Sequence, residues 1–263
     1  MTRKASLTLL AVTMALLTVG ARADAPAPNP APVSASLAPT EIFQKARAAY
    51  AALTSYSDQG TIVATLNGLT ITTTFKIKLA RPNLYRIEWL QTNDTPFSVM
   101  TTKPQSVWSA GDGDFLDMLG QGPKKQTNQE MALSSATGIS GGAAATIPSA
   151  FFKTSWGDHL SAAAHNDKQQ PDEKIGDTDC YVFSGSLRGT TSTIWIGKQD
   201  FLIRQVRTVT SAAAMKAALD EAAKVNPGVT ARMPAFTPHD LTSTETHTNL
   251  VLNPKLAPPD FAH

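Results

Sequence analysis

From Leu69 to Leu79 the chain alternates. Leu69, Ile71, Phe75, Ile77 and Leu79 are apolar, while Thr70, Thr72, Thr74, Lys76 and Lys78 are polar. A period of two is that of a half-buried antiparallel strand, with one face on a core or cavity and the other in water. Asn67-Gly68 just upstream is the preferred dipeptide of a two-residue hairpin, because both positions need positive φ, so a partner strand is predicted over Tyr56 to Leu66. That turn sets the register: Leu66 opposite Leu69, Ala64 opposite Ile71, Ile62 opposite Thr73 and Gly60 opposite Phe75, with the apolar face shared by both strands. Tyr85, Ile87 and Trp89 continue the alternation in a third strand. Phe97 to Met100, Val107 to Ala110 and Phe115 to Met118 supply three more, a meander of about six strands.

Other stretches carry the helical period. Thr40 is a candidate cap with Glu41 in the first turn, and Ile42, Ala46, Ala49 and Leu53 follow on one face, which predicts a helix lying against the sheet. Between Asn128 and Leu160 the apolar residues Met131, Leu133, Ile139, Ile147, Phe151, Phe152, Trp156 and Leu160 lack period-two spacing and sit in Ala/Gly/Ser-rich sequence. Short helices with glycine hinges, crossing the open face of the meander, account for them. Ala162 to Asp172 is polar and reads as a loop. Two more hairpins follow, around Gly176 to Asp179 and Gly197 to Asp200, the second joining Thr193-Ile194-Trp195-Ile196 to the strand Leu202 to Arg207. Ser211 to Lys224 is helical, with Met215, Leu219 and Ala222 on one face and Lys216, Asp220 and Lys224 on another. A final strand lies near Thr244 to Leu252. The fold class is α+β.

Composition adds a compartment. Arg3 and Lys4, the uncharged run Ala5 to Gly20 and the small-x-small site Ala21-Arg22-Ala23 read as a secretory signal peptide over residues 1–23, whose apolar core is too short for a membrane span. A cysteine at the cleavage site, which a lipid anchor would need, is lacking, so the expected location is the periplasm, reached across the inner membrane and without a lipid anchor. Residues 24–39 form an Ala/Pro-rich linker. Residues 40–263 then form a single domain, with the helix at about 211–225 as an insertion. Cys180 is the only cysteine and reads as a small buried hydrophobe in a strand rather than a reactive thiol. The formal charge of +2 includes Arg3, Lys4 and Arg22, which leaves the remainder near neutral. Clustered Lys/Arg with stacking aromatics are lacking, so no nucleic-acid partner is expected.

Candidate chemistry is sparse. Gly111-Asp112-Gly113-Asp114, with Asp117 nearby, lacks the remaining ligands of a calcium loop and reads as a tight turn. Gly138-Ile139-Ser140-Gly141-Gly142 matches G-x-S-x-G, but the strand that a nucleophile elbow needs before its serine is missing. The histidines at 159, 165, 239, 247 and 263 form no H-x-x-x-H or H-x-H pair. No catalytic residue, metal or cofactor is expected, and the chain reads as a non-enzyme. What remains is an interior. Phe75, Ile77, Leu79, Tyr85, Ile87 and Trp89 from the sheet and Ile147, Phe151 and Phe152 from the cover line either a dry core or a ligand cavity, which periodicity does not distinguish. Counted from Leu69, Arg81 also falls on the inward face, unless the restricted residue before Pro82 turns it outward.

The phrase Arg81-Pro82-Asn83-Leu84-Tyr85-Arg86-Ile87-Glu88-Trp89, followed by Val107-Trp108, Ile194-Trp195-Ile196-Gly197-Lys198 with Leu202 to Val206, and Glu245-Thr246-His247 to Asn253-Pro254, resembles the periplasmic lipoprotein carrier LolA and its wider superfamily. The likeness runs from about Thr40 to Phe261. It departs at Thr101-Thr102-Lys103-Pro104-Gln105, where carriers have a Ser-Asp-Gly-Lys turn, and at the Ser211 to Lys224 helix. The resemblance implies an unclosed antiparallel β-barrel, a strongly curved sheet with a helical lid over an apolar cavity that receives acyl chains. It implies lipid or acylated protein as ligand, envelope proteins associated with the membrane as further partners, and a role in transport or outer membrane biogenesis. The same fold also serves as an envelope-stress sensor or protein-interaction domain. By resemblance Arg81 is a lid latch, bonding carbonyls in the Gly138 to Ala145 segment.

Overall fold

The computed structural model describes residues 37–93, 103–110, 113–118, 121–153, 160, 168–225 and 238–262. The expected signal peptide, most of the linker, the Phe97 to Met100 strand, Gly111-Asp112 and Trp156 lie outside the described residues. Helix α1 (Pro39–Ala52) precedes a meander of β1 (Ser55–Leu66), β2 (Leu69–Ala80), β3 (Leu84–Asn93), β4 (Gln105–Ala110), β5 (Gly113–Asp117) and β6 (Pro123–Gln126). Two short helices follow, α2 (Gln129–Ile139) and α3 (Thr146–Phe152), and then β7 (Lys168–Ile175), β8 (Thr178–Leu187), β9 (Thr190–Gly197) and β10 (Ile203–Thr210). Helix α4 (Ala212–Val225) leads to the last strand, β11 (Leu241–Leu252).

All eleven strands make one sheet in the order β6-β5-β4-β3-β2-β1-β11-β10-β9-β8-β7, antiparallel at every step. The two ends, β6 and β7, do not pair with each other, so the sheet stays open. β11 closes the gap between two meanders by lying between β1 and β10. This is an α+β fold with an unclosed antiparallel sheet and helices on one face, the architecture that the resemblance implies. Among the described residues no helix is long and apolar enough to cross a membrane.

The first hairpin has the register its turn dictates. Leu66 pairs with Leu69, Ala64 with Ile71, Ile62 with Thr73 and Gly60 with Phe75, and Asn67 and Gly68 both have positive φ, 51° and 75°. Several local expectations are corrected. Helix α1 starts at Pro39 with Ala38 as its uncapped first residue, so Thr40 is inside the helix rather than at its cap; proline at the first helical position loses no intrahelical bond. The polar stretch before Asp172 is not all loop: β7 begins at Lys168, an edge strand whose side chains are almost all exposed and which therefore carries no apolar alternation. The sixth strand of the first meander is Pro123–Gln126, equally polar and also at an edge. An additional hairpin joins β8 to β9 through Arg188-Gly189, both at positive φ (50° and 77°). An arginine at a position that favours asparagine or aspartate hides that turn from a sequence reading.

Helices α1, α2 and α3 cover part of one sheet face and share a single core with it. Ile42, Phe43, Ala46, Tyr50 and Leu53 of α1 and its C-terminal cap are buried, and the Phe43 and Phe183 rings meet at 4.5 Å. Asn128 caps α2, its side chain accepting from Met131 N at 2.9 Å. Gln91 of β3 donates to Ile139 O at 2.7 Å and ties the other end of α2 to the sheet.

Candidate functional site

The inward face of the sheet is best followed in rows across the strands, since residues paired in register share a face. At one end lie Tyr85, Leu79 and Tyr56, then Val107, Ile87, Ile77 and Asp58. The next rows are Trp89, Phe75, Gly60 and His247, and then Gln91, Thr73, Ile62, Glu245, Val206, Ile194 and Phe183. The helical layer lies over these four rows. Of the nine residues expected to line the interior, Phe75, Ile77, Leu79, Tyr85, Ile87, Trp89, Ile147 and Phe151 are buried and Phe152 is partly buried, all within one packed cluster with α1, α2 and α3.

Arg81 lies where this end closes. Its Nε donates to Leu53 O at 2.9 Å, and its Nη2 donates to Phe151 O at 2.8 Å and Tyr50 O at 3.3 Å. The guanidinium also sits 4.5 Å from the centre of the Phe151 ring. It therefore joins the C-terminal ends of α1 and α3, where the helix dipole favours a cation. The expected acceptors in Gly138 to Ala145 are not the ones used. That segment lies at the other end of α3, beyond the reach of a side chain rooted at the end of β2.

Two further rows of the inward face extend past the helices. One is Ile71, Ala64, Ser243, Thr208, Ser192 and Gly185; the other is Leu69, Leu66, Leu241, Thr210, Thr190 and Leu187. None of these residues is buried, and Leu69 and Leu187 at the ends of the outer row are 51% and 59% exposed. Small side chains run along the middle and leucines stand in the outer row, so among the described residues this end of the face is a shallow trough beside the covered interior. Two cavities lie elsewhere. One of about 370 Å³ separates α1 from α3, among Ala48, Ala51, Ser149 and Ala150 with Arg47 and Lys153. The other, about 510 Å³, lies along Gln59, Thr61, Thr74, Lys76 and Thr248 of the opposite sheet face, beside Pro104, and also touches Gly60, Phe75 and Trp89.

Between the sealed end and the trough sits a polar cluster that the sequence reading did not identify. His247 Nδ1 is 2.7 Å from Asp58 Oδ2, and its Nε2 is 3.1 Å from Glu245 Oε1. Tyr56 OH donates to Asp58 Oδ2 at 2.9 Å, and Thr146 Oγ1, at the start of α3, donates to Glu245 Oε2 at 2.6 Å. The side chains of Asp58 and His247 are wholly enclosed, and that of Glu245 is 8% exposed. Burial by itself would lower the His247 pKa, but the carboxylates of Asp58 and Glu245 outweigh it and push the imidazole up to about 10. Burial, with Asp58 adding to it, also raises the Tyr56 phenol. At neutral pH the cluster therefore holds an imidazolium between two acids. Counting back from Asn67-Gly68 places Asp58 on the apolar face opposite Ile77, a trace of this site that the sequence carries.

Ser140 is fully buried in the turn after α2. Its hydroxyl donates to Thr137 O and accepts from Ala144 N, both at 3.2 Å. A helix precedes it rather than a strand, so the elbow geometry is not met. No group of three or more His, Cys, Asp or Glu suited to a metal ion occurs among the described residues, and His159 and His165 lie outside them. Cys180 is buried, and burial pushes its thiol up, away from the reactive thiolate.

No protein-family model matches the sequence, and no curated protein matches it. Solved structures similar to this chain include LprF from Mycobacterium bovis, at 10% identity and a TM-score of 0.44, covering 86% of this chain and 97% of that one. A LolA superfamily protein from Nitrosomonas europaea has 10% identity and a TM-score of 0.33, with 87% and 99% covered. MucB has 11% identity and a TM-score of 0.43, with 85% of this chain and 62% of MucB covered, so the chain spans less than two thirds of MucB's length.

Proposed function

We propose that this chain is a non-enzymatic binding or carrier protein of the cell envelope whose ligand is a lipid or the acyl chain of a lipidated protein, taken up between the sheet and its helical layer. The observation that carries this reading is the trough, an inward sheet face that among the described residues runs two rows beyond its cover and ends in exposed Leu69 and Leu187. An acyl chain lying on Ala64, Ser243, Thr208 and Ser192 would meet little steric hindrance and would extend the apolar interior. Ligand would enter further by lifting α2 and α3 from the sheet, with Arg81 holding their closed position through Phe151 O. A helical layer can shift between two populations, and a ligand that binds the open one draws the equilibrium towards it.

Native mass spectrometry of protein purified from the periplasm tests the reading. Retained lipid, or uptake of acyl-chain probes by ligand-free protein, is expected. A homogeneous species that retains none and takes up none would overturn it. A protein-interaction domain is the second reading, favoured by α4, whose side chains are mostly exposed or half-buried, including Met215 and Leu219. Capture of an envelope protein, lost on deletion of α4 and accompanied by no lipid, would favour that alternative.

A further inference from the structure

The outer face of the sheet carries rows of its own, and threonine dominates them on the middle strands. Thr74, Thr61 and Thr246 lie side by side on β2, β1 and β11, and Thr72, Val63 and Thr244 form the next row. All six are exposed or half-buried. The alternation that fills the interior thus also lays hydroxyls across the opposite face, at the separation of adjacent strands, about 4.8 Å. The cavity of about 510 Å³ opens where these rows meet Lys76, Gln59 and Thr248. Its size suits a small ligand or one unit of a polymer. The hydroxyls of Thr61 and Thr74 and the side-chain amide of Gln59 take part in no hydrogen bond among the described residues, so donors and acceptors are available to a ligand. Each threonine also sets a methyl beside its hydroxyl, and a sugar ring presents the same mixture of C–H and O–H groups. An acyl chain would gain nothing from such a surface.

Charge narrows the class of ligand. Lys76 is exposed at one end of the patch and makes no ion pair among the described residues; Arg207, the partner of Thr244 on β10, is in the same state at the other. Glu88, which also lines the cavity, is already held by Arg86 at 2.6 Å. Three strand spacings and four residues of rise separate Lys76 from Arg207, roughly 20 Å by strand geometry and about the length of a few linked sugars. Two cations in excess across a hydroxyl surface complement acid groups spaced along a chain. We infer that the outer face of β2, β1 and β11 binds an acidic polysaccharide. One sugar sits in the cavity against Thr61 and Thr74 with its acid group on Lys76, and the chain crosses the threonine rows towards Arg207. The site is on the other side of the sheet from the trough and does not depend on the carrier reading.

Isothermal titration with three probes tests it: tetragalacturonate, its methyl ester, which keeps the sugar chain without the charge, and tetraglutamate, which keeps the charge without the sugar. The wild-type protein is expected to bind tetragalacturonate roughly ten-fold tighter than the ester, and tetraglutamate more weakly than tetragalacturonate. Lys76→Ala should bring tetragalacturonate towards the ester and leave the ester unchanged. Thr61→Val combined with Thr74→Val keeps the shape and removes the hydroxyls, and should weaken both sugars by about ten-fold. These positions are exposed, so urea unfolding of the variants should match the wild type. Failure to bind tetragalacturonate, equal affinity for tetraglutamate, or unchanged binding of both sugars by the double variant would each overturn the site.

Discussion

The sealed and open ends of the inward face are built by the same strands with the same alternation, yet they differ in everything that rests on them. At the sealed end Tyr85, Leu79, Ile87 and Ile77 are fully buried beneath α1 and α3, and Arg81 fastens both helices by carbonyls at their C-terminal ends. At the open end Ile71, Ala64, Ser243 and Thr208 have the same orientation but are only half-buried among the described residues, and Leu69 and Leu187 at the rim are exposed. Burial of an inward position is thus decided by the helical layer rather than by the strand that carries it. The polar cluster marks the border between the two regimes. It lies where α3 begins, at the edge of the described part of the cover, and it is joined to that cover through Thr146.

The sharpest way to break this arrangement is at the border. Asp58→Ala removes one partner of a wholly enclosed imidazolium, and the unpaired charge should destabilise the protein by about 3–5 kcal/mol in urea unfolding. A loss below about 1 kcal/mol would mean that the cluster is not charged as described. Titration checks the same point without a mutation. A proton held more tightly in the folded than in the unfolded chain stabilises the fold, fully below the ordinary histidine pKa of 6.5 and progressively less as pH rises through about 10. Stability should therefore decline across that window in the wild type, and His247→Gln should flatten the decline.

Arg81→Leu tests the sealed end more gently. Loss of its charged hydrogen bonds should cost about 1.5–3 kcal/mol and speed hydrogen exchange in α3 and the last turn of α1. Unchanged protection in both would remove the latch role. The smallest effect is expected at the open end, where Leu69→Ala or Leu187→Ala should shift stability by no more than about 0.5 kcal/mol. The equivalent truncation at a sealed position, Ile87→Ala, should cost about 2–5 kcal/mol. Equal costs at the two ends would erase the distinction between core and trough.

The amino-acid sequence by itself determined what neighbouring residues can enforce. A two-residue turn needing positive φ fixed the β1 and β2 register, and period-two alternation then assigned Phe75, Ile77, Leu79, Tyr85, Ile87 and Trp89 to one face. The helical spacing of Ile42, Ala46, Ala49 and Leu53 likewise identified the face of α1 that turns to the sheet. Edge strands β6 and β7 escaped because a strand with solvent on both sides needs no apolar pattern. The arrangement that only the tertiary structure decided is the pairing of β1 with β11, which brings Asp58 against His247 from 189 positions away. Alternation places Glu245 and His247 on one side of their strand, but it carries no information about which distant strand will lie beside them. Nor could it show that, among the described residues, α3 begins beside Glu245, since the extent of a cover depends on where its helices begin and end in space. That boundary divides a packed core from an open trough along the same strands.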